Sequence, residues 1–69
     1  MRYVIVENPG MSDERQACWT RYERKSQALA VMRDMAEIEA LLSGEDFDEV
    51  ITRFDVMGET DEGEWTTEI

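Results

Sequence analysis

The chain has no histidine, one cysteine, no nucleotide-binding glycine motif, no long apolar run and almost no base in its second half. Each absence excludes something. Without histidine the commonest general acid/base and the usual transition-metal ligand are missing. Cys18 alone cannot close an intrachain disulfide, which argues against a secreted, bridge-stapled scaffold and for a reducing cytoplasm. One cysteine cannot build a four-ligand zinc site either. Ser12, Ser26 and Ser43 have no histidine to activate them. Cys18, beside Trp19, reads as a small, partly buried apolar residue rather than a nucleophile. Neither GxGxxG nor GxxxxGK[ST] occurs, so no phosphate-cradling loop is expected. No apolar run approaches the ~20 residues of a membrane span. The Met1–Glu7 stretch is too short for the apolar region of a signal peptide.

Oxygen donors are abundant, but their spacing is not that of a dedicated site. Asp61-Glu62-Gly63-Glu64 and Glu45-Asp46-Phe47-Asp48-Glu49 both miss the twelve-residue EF-hand pattern. Paired carboxylates can cleave glycosides only from a cleft that separates their environments, and a chain of 69 residues has little room for one. The chain is therefore not expected to be an enzyme, and no cofactor or metal is expected.

A chain this short makes one domain, residues 1–69, and buries only ~60% of its unfolded surface. Its hydrophobic content of 42%, with six aromatic residues, nevertheless exceeds what an acidic disordered tail carries.

Residues 2–7 are β-branched and aromatic and predict a strand. Asn8-Pro9-Gly10 breaks it. Residues 15–23 alternate and predict a second strand. Ser26 offers an N-cap. Behind it Ala28, Val31, Met32, Met35, Ile38, Leu41 and Leu42 form one apolar stripe on a helix over 27–43, with Gly44 as its left-handed C-terminal stop. The next segment has two readings. Phe47, Val50, Ile51 and Phe54 fit helical spacing, and Val50, Thr52, Phe54 and Val56 fit a strand face; the β-rich composition favours a strand over 49–57. Residues 58–63 predict a turn and 64–69 a last strand. The expected fold is α+β, a two-layer ββαββ sandwich of one four-stranded antiparallel sheet with one helix on one face.

What the chain does have is segregated charge. Residues 34–69 hold thirteen acids and a single base, Arg53, whereas residues 1–33 hold six bases and four acids; the formal net charge is −10. Twelve of these acids form three groups: Asp34, Glu37 and, slightly off that face, Glu39 on the helix; Glu45, Asp46, Asp48 and Glu49 after it; and Glu59, Asp61, Glu62, Glu64 and Glu68 in the final turn and strand. Glu64 and Glu68 share a strand face with Thr66, at a same-face step of ~6.6 Å. Carboxylates held rigidly at such spacing can stand in for phosphates, because Arg and Lys accept either group. Trp65 is a candidate contact anchor amid these acids. The competing reading is a solvated face that serves only solubility. Self-repulsion among segregated acids costs stability, which favours a binding role that offsets it. Such a charge disfavours direct contact with nucleic acid or anionic membranes.

The acidic runs Glu45-Asp46-Phe47-Asp48-Glu49 and Glu59-Thr60-Asp61-Glu62-Gly63-Glu64, on a short β-rich chain without catalytic residues, resemble the small virus- and plasmid-encoded anti-CRISPR proteins that mimic nucleic acid. That resemblance implies a cytoplasmic, non-enzymatic inhibitor, encoded by a phage or mobile element. It would act as a monomer or weak homodimer and block DNA or PAM binding by a bacterial CRISPR effector complex, whose channels are positively charged. A second resemblance rests on Met1-Arg2-Tyr3-Val4-Ile5-Val6 followed by a strand and a helix opening near Ser26. It is to HicB-type antitoxin domains, and it implies a stoichiometric partner covering a basic toxin. The further strand and glycine-rich segment of that family are not evident in this chain.

Overall fold

Val4, Ile5 and Val6 are three consecutive apolar residues, and a strand that carries them needs cover on both of its faces. In a computed structural model, which describes residues 1–69, all three are fully buried. They lie in β1 (Arg2–Glu7), an inner strand of a four-stranded antiparallel sheet. The other elements are β2 (Arg15–Gln16), α1 (Lys25–Ser43), α2 (Phe47–Ile51), β3 (Phe54–Glu59) and β4 (Trp65–Thr66), and the sheet order is β2-β1-β3-β4. The mixed α+β architecture with one main helix is the one the sequence predicts.

The β1–β3 ladder runs the full length of both strands, from Arg2 opposite Glu59 to Glu7 opposite Phe54. On one face Ile5 and Val56 meet Ala28 and Met32 of α1, with Tyr3, Tyr22, Met35 and Phe54 around them. Val4, Val6 and Met57 form a second apolar cluster, against which Trp65 packs. Alternation along the strands puts this cluster on the face away from α1.

Four boundaries differ from the sequence expectations. First, α1 starts at Lys25, so its N-cap is Arg24 and Ser26 lies inside the first turn; no side chain caps the helix. Gly44 does end it, in the left-handed conformation (φ 74°), with its N–H donating to the Ala40 carbonyl. Second, β2 is two residues long. Gln16 sits opposite Val6 and Tyr22 opposite Tyr3, so six steps on one side face three on the other. The surplus bulges out between Ala17 and Tyr22 and carries Trp19 into solvent, 91% exposed. Third, residues 47–51 are helical and β3 begins only at Phe54. Extended backbone at Asp46 opens α2, Asp48 and Glu49 occupy its first turn, where its dipole favours anions, and Thr52 Oγ1 donates to the Glu49 carbonyl at its end. Fourth, β4 stops at Thr66, so Glu64 and Glu68 do not share a regular strand face.

The helix stripe is only partly used. Ala28, Met32 and Ala36 are buried, but Ile38, Leu41 and Leu42 are not. The lengths explain this. Nineteen residues of α1 span ~28 Å, while six-residue strands span ~20 Å. Tyr22 pairs with Tyr3 just before the helix begins, so α1 starts at that end of the sheet and its last turns extend past the other, where they pack on α2; Ala36 is buried and Ala40 half-buried there, while Ile38, Leu41 and Leu42 stay uncovered. No helix is long and apolar enough to cross a membrane.

Candidate functional site

The direction of β3 sorts the acids. At its start lie α2 and the α1–α2 connection; at its end lies the Thr60–Glu64 turn. Five strand steps, ~17 Å, separate Phe54 from Glu59. At physiological ionic strength the Debye length is ~8 Å. Charges at the two ends therefore act on a partner independently, and the three acidic groups of the sequence are gathered at two poles.

The α2 pole holds Glu45, Asp46, Asp48 and Glu49, with Asp34 and Glu37 exposed along the helix that leads to it. Bases are present here too: the Arg53 guanidinium pairs with the Glu45 carboxylate, Arg15 pairs with Glu7 opposite Phe54, and Arg33 lies on α1 one turn before Glu37, outside every salt bridge. The pairing with Glu45 holds Arg53 above its ordinary pKa, with smaller contributions from Glu39 and Glu49. Asp48 and Glu49 are held in place by the first turn of α2, and both remain exposed.

The turn pole has a different character. Glu59, Asp61, Glu62, Glu64, Trp65 and Glu68 gather there, but bases come with them. Arg21 Nε donates to Glu59 Oε1 at 2.5 Å. This bond holds the Glu59 carboxyl below its ordinary value, and Trp65 and Arg2 add to the effect. Arg2, Glu23, Glu59 and Asp61 line an open polar hollow of about 510 Å³. The turn itself is tightly built: Thr60 N–H donates to the Glu64 carbonyl, Gly63 N–H to the Thr60 carbonyl, and Glu64 N–H to Thr60 Oγ1. Glu68 follows β4, its N–H donating to Thr66 Oγ1. Trp65 is half-buried against Val4, Val6 and Met57, so its indole helps cover the sheet face while part of it stays accessible.

Ion pairing is sparse. Glu7 with Arg15, Glu45 with Arg53 and Glu59 with Arg21 are the three salt bridges, against seventeen acids. No group of three or more carboxylate or thiol side chains converges as a metal site. Cys18 is half-buried, its Sγ 3.7 Å from the Tyr22 hydroxyl, and burial raises the pKa of that phenol.

Sequence reasoning missed the exposed apolar residues of the α2 pole. Ile38, Leu41 and Leu42 sit on the stripe that predicts burial, and only the comparison of helix length with strand length reveals the overhang. No protein family, curated protein or solved structure matches the chain.

Proposed function

We propose that this protein is a non-enzymatic inhibitor that occupies the basic, nucleic-acid-binding surface of another protein through its α2 pole. The observation that carries this reading is the state of the carboxylates there. Asp34, Glu37, Asp46, Asp48 and Glu49 are exposed and outside every salt bridge, on backbone fixed by two helices. A cationic groove can accept such a surface in place of a polynucleotide, with partial desolvation and strong salt dependence. The turn pole, with Arg2 and Arg21 beside its acids, supports the role less. The target class that fits is a bacterial CRISPR effector complex, and the inhibitor would act in the cytoplasm, where such a complex meets target DNA.

The test is competition. Target DNA and an effector complex are mixed with the wild-type protein or with the triple variant Asp46→Asn, Asp48→Asn, Glu49→Gln, and bound DNA is followed by gel mobility. Wild type should displace DNA, less so as salt rises, and the variant should displace it poorly. Equal inhibition by both proteins, or no inhibition of any effector type, refutes the proposal.

A second reading is favoured by one observation. The exposed Ile38, Leu41 and Leu42 suit an antitoxin-type stoichiometric partner that covers a basic toxin, where apolar contacts matter more and salt less.

A further inference from the structure

Where α1 overhangs the sheet, Ile38, Leu41 and Leu42 are 59%, 79% and 80% exposed. Ile38 also lines an apolar groove of about 260 Å³ with Ala17, Met35 and Phe54, rimmed by Glu7 and Glu39. Groove and overhang are thus one continuous strip joined at Ile38. From Met35 to Leu42 it runs two helical turns, ~10 Å. Helical spacing places a carboxylate one turn from each apolar side chain: Asp34 next to Ile38, Glu37 next to Leu41 and Glu39 next to Leu42. None of these three acids is in a salt bridge. Scattered surface leucines need no explanation, but a contiguous apolar strip with a charged rim marks a contact surface.

Charge decides the occupant. A two-fold dimer sets the same patch against itself, so Asp34, Glu37 and Glu39 would face their own copies across a small apolar centre, on chains each carrying −10. An anionic lipid surface is repelled for the same reason. The complementary shape is an amphipathic helix with apolar anchors at i, i+3 or i+4, and i+7, flanked by Lys and Arg. We propose that the strip from Met35 to Leu42, with its groove, is a docking site for a basic amphipathic helix of the partner protein. This rests on the reading of the α2 pole as a surface for a basic protein. It deepens that reading by assigning the partner apolar anchors as well as cations.

The probe is a pair of synthetic peptides of Leu, Lys and Ala, each about four helical turns long. One has its leucines on a single helical face; the other has the same composition scrambled. Binding to the full-length protein is measured by calorimetry at low salt, ~0.02 M, and at ~0.15 M. Wild type should bind the amphipathic peptide at least about tenfold more tightly than the scrambled one, ~1.4 kcal/mol. The double variant Leu41→Ser, Leu42→Ser should lose that preference while still folding and melting cooperatively, since both side chains are already in solvent and only helix propensity is lost. Equal, salt-sensitive binding of the two peptides overturns the docking site and leaves the electrostatic reading standing. Binding of neither at low salt overturns both. A wild-type dimer in sedimentation equilibrium that the leucine variant abolishes assigns the strip to a second copy and overturns the proposal.

Discussion

Helix α1 begins without a side-chain cap, and the consequence can be tested without knowing any partner. Arg24 holds the N-cap position in extended backbone (φ −123°, ψ 136°) and contributes no cap hydrogen bond; the first turn contains no acid. The helix thus begins with unsatisfied N–H groups and with two cations, Arg24 and Lys25, at its positive end. Arg24 is exposed and outside every salt bridge, so replacing it removes little. Arg24→Ser supplies a cap worth ~1 kcal/mol, which in a chain of this size raises Tm by about 4–8 °C. Arg24→Asp adds a favourable dipole interaction of ~0.5 kcal/mol, for a rise of about 6–12 °C. Ser26→Ala, at the position where the sequence predicts the cap, should leave Tm unchanged or slightly raised, because Ala is the better helix former. Far-UV circular dichroism melts at ~0.15 M salt keep the added negative charge screened. If Ser26→Ala costs ~1 kcal/mol and Arg24→Ser gains nothing, the helix begins later and the boundary argument is wrong.

Three further outcomes follow from charge and burial. Raising salt from ~0.01 to ~0.15 M shortens the Debye length from ~30 to ~8 Å, and Tm should rise, because repulsion among many unpaired acids outweighs three salt bridges; a falling Tm would show the pairs dominate. Glu59 has a lowered carboxyl pKa, so its stabilisation is complete above the ordinary value of 4.5 and is lost as pH falls through the lowered one. The stability of wild type relative to Glu59→Gln should therefore shrink as the solution is acidified below that ordinary value, and a difference that stays constant with pH would disprove the role of Arg21. Ile5→Ala should cost ~2–5 kcal/mol, much of the ~3–10 kcal/mol available to a chain of this size, whereas Leu41→Ala should stay within ~0.5 kcal/mol; urea unfolding compares the two.

The elements legible in the sequence are those decided locally. The β-branched run of β1, the stripe of α1 and the glycine that ends it each carry their own signal. The elements that were not legible depend on partners distant in sequence. Residues 15–23 alternate like a strand throughout, but their pairing is set by Val6 and Tyr3, which leave too little strand to accommodate them all. Residues 49–51 are β-rich, yet the helical spacing of Phe47, Val50 and Ile51 prevails, Val50 being fully buried. Of the candidate site, the identity of the acids was plain from composition. Their division into two poles was not, because it follows from which end of β3 each connection meets. The apolar strip was hidden for a related reason: periodicity shows which side of a helix is greasy, not where the sheet beneath it ends.

The long β1–β3 ladder also dictates when this chain can fold. Arg2 and Glu59 are opposite neighbours, so β1 leaves the ribosome well before its main partner, β3, exists. High contact order of this kind slows folding, and at a synthesis rate of ~5–20 residues per second the wait lasts some seconds. During it Val4, Ile5 and Val6 stand exposed in the nascent chain.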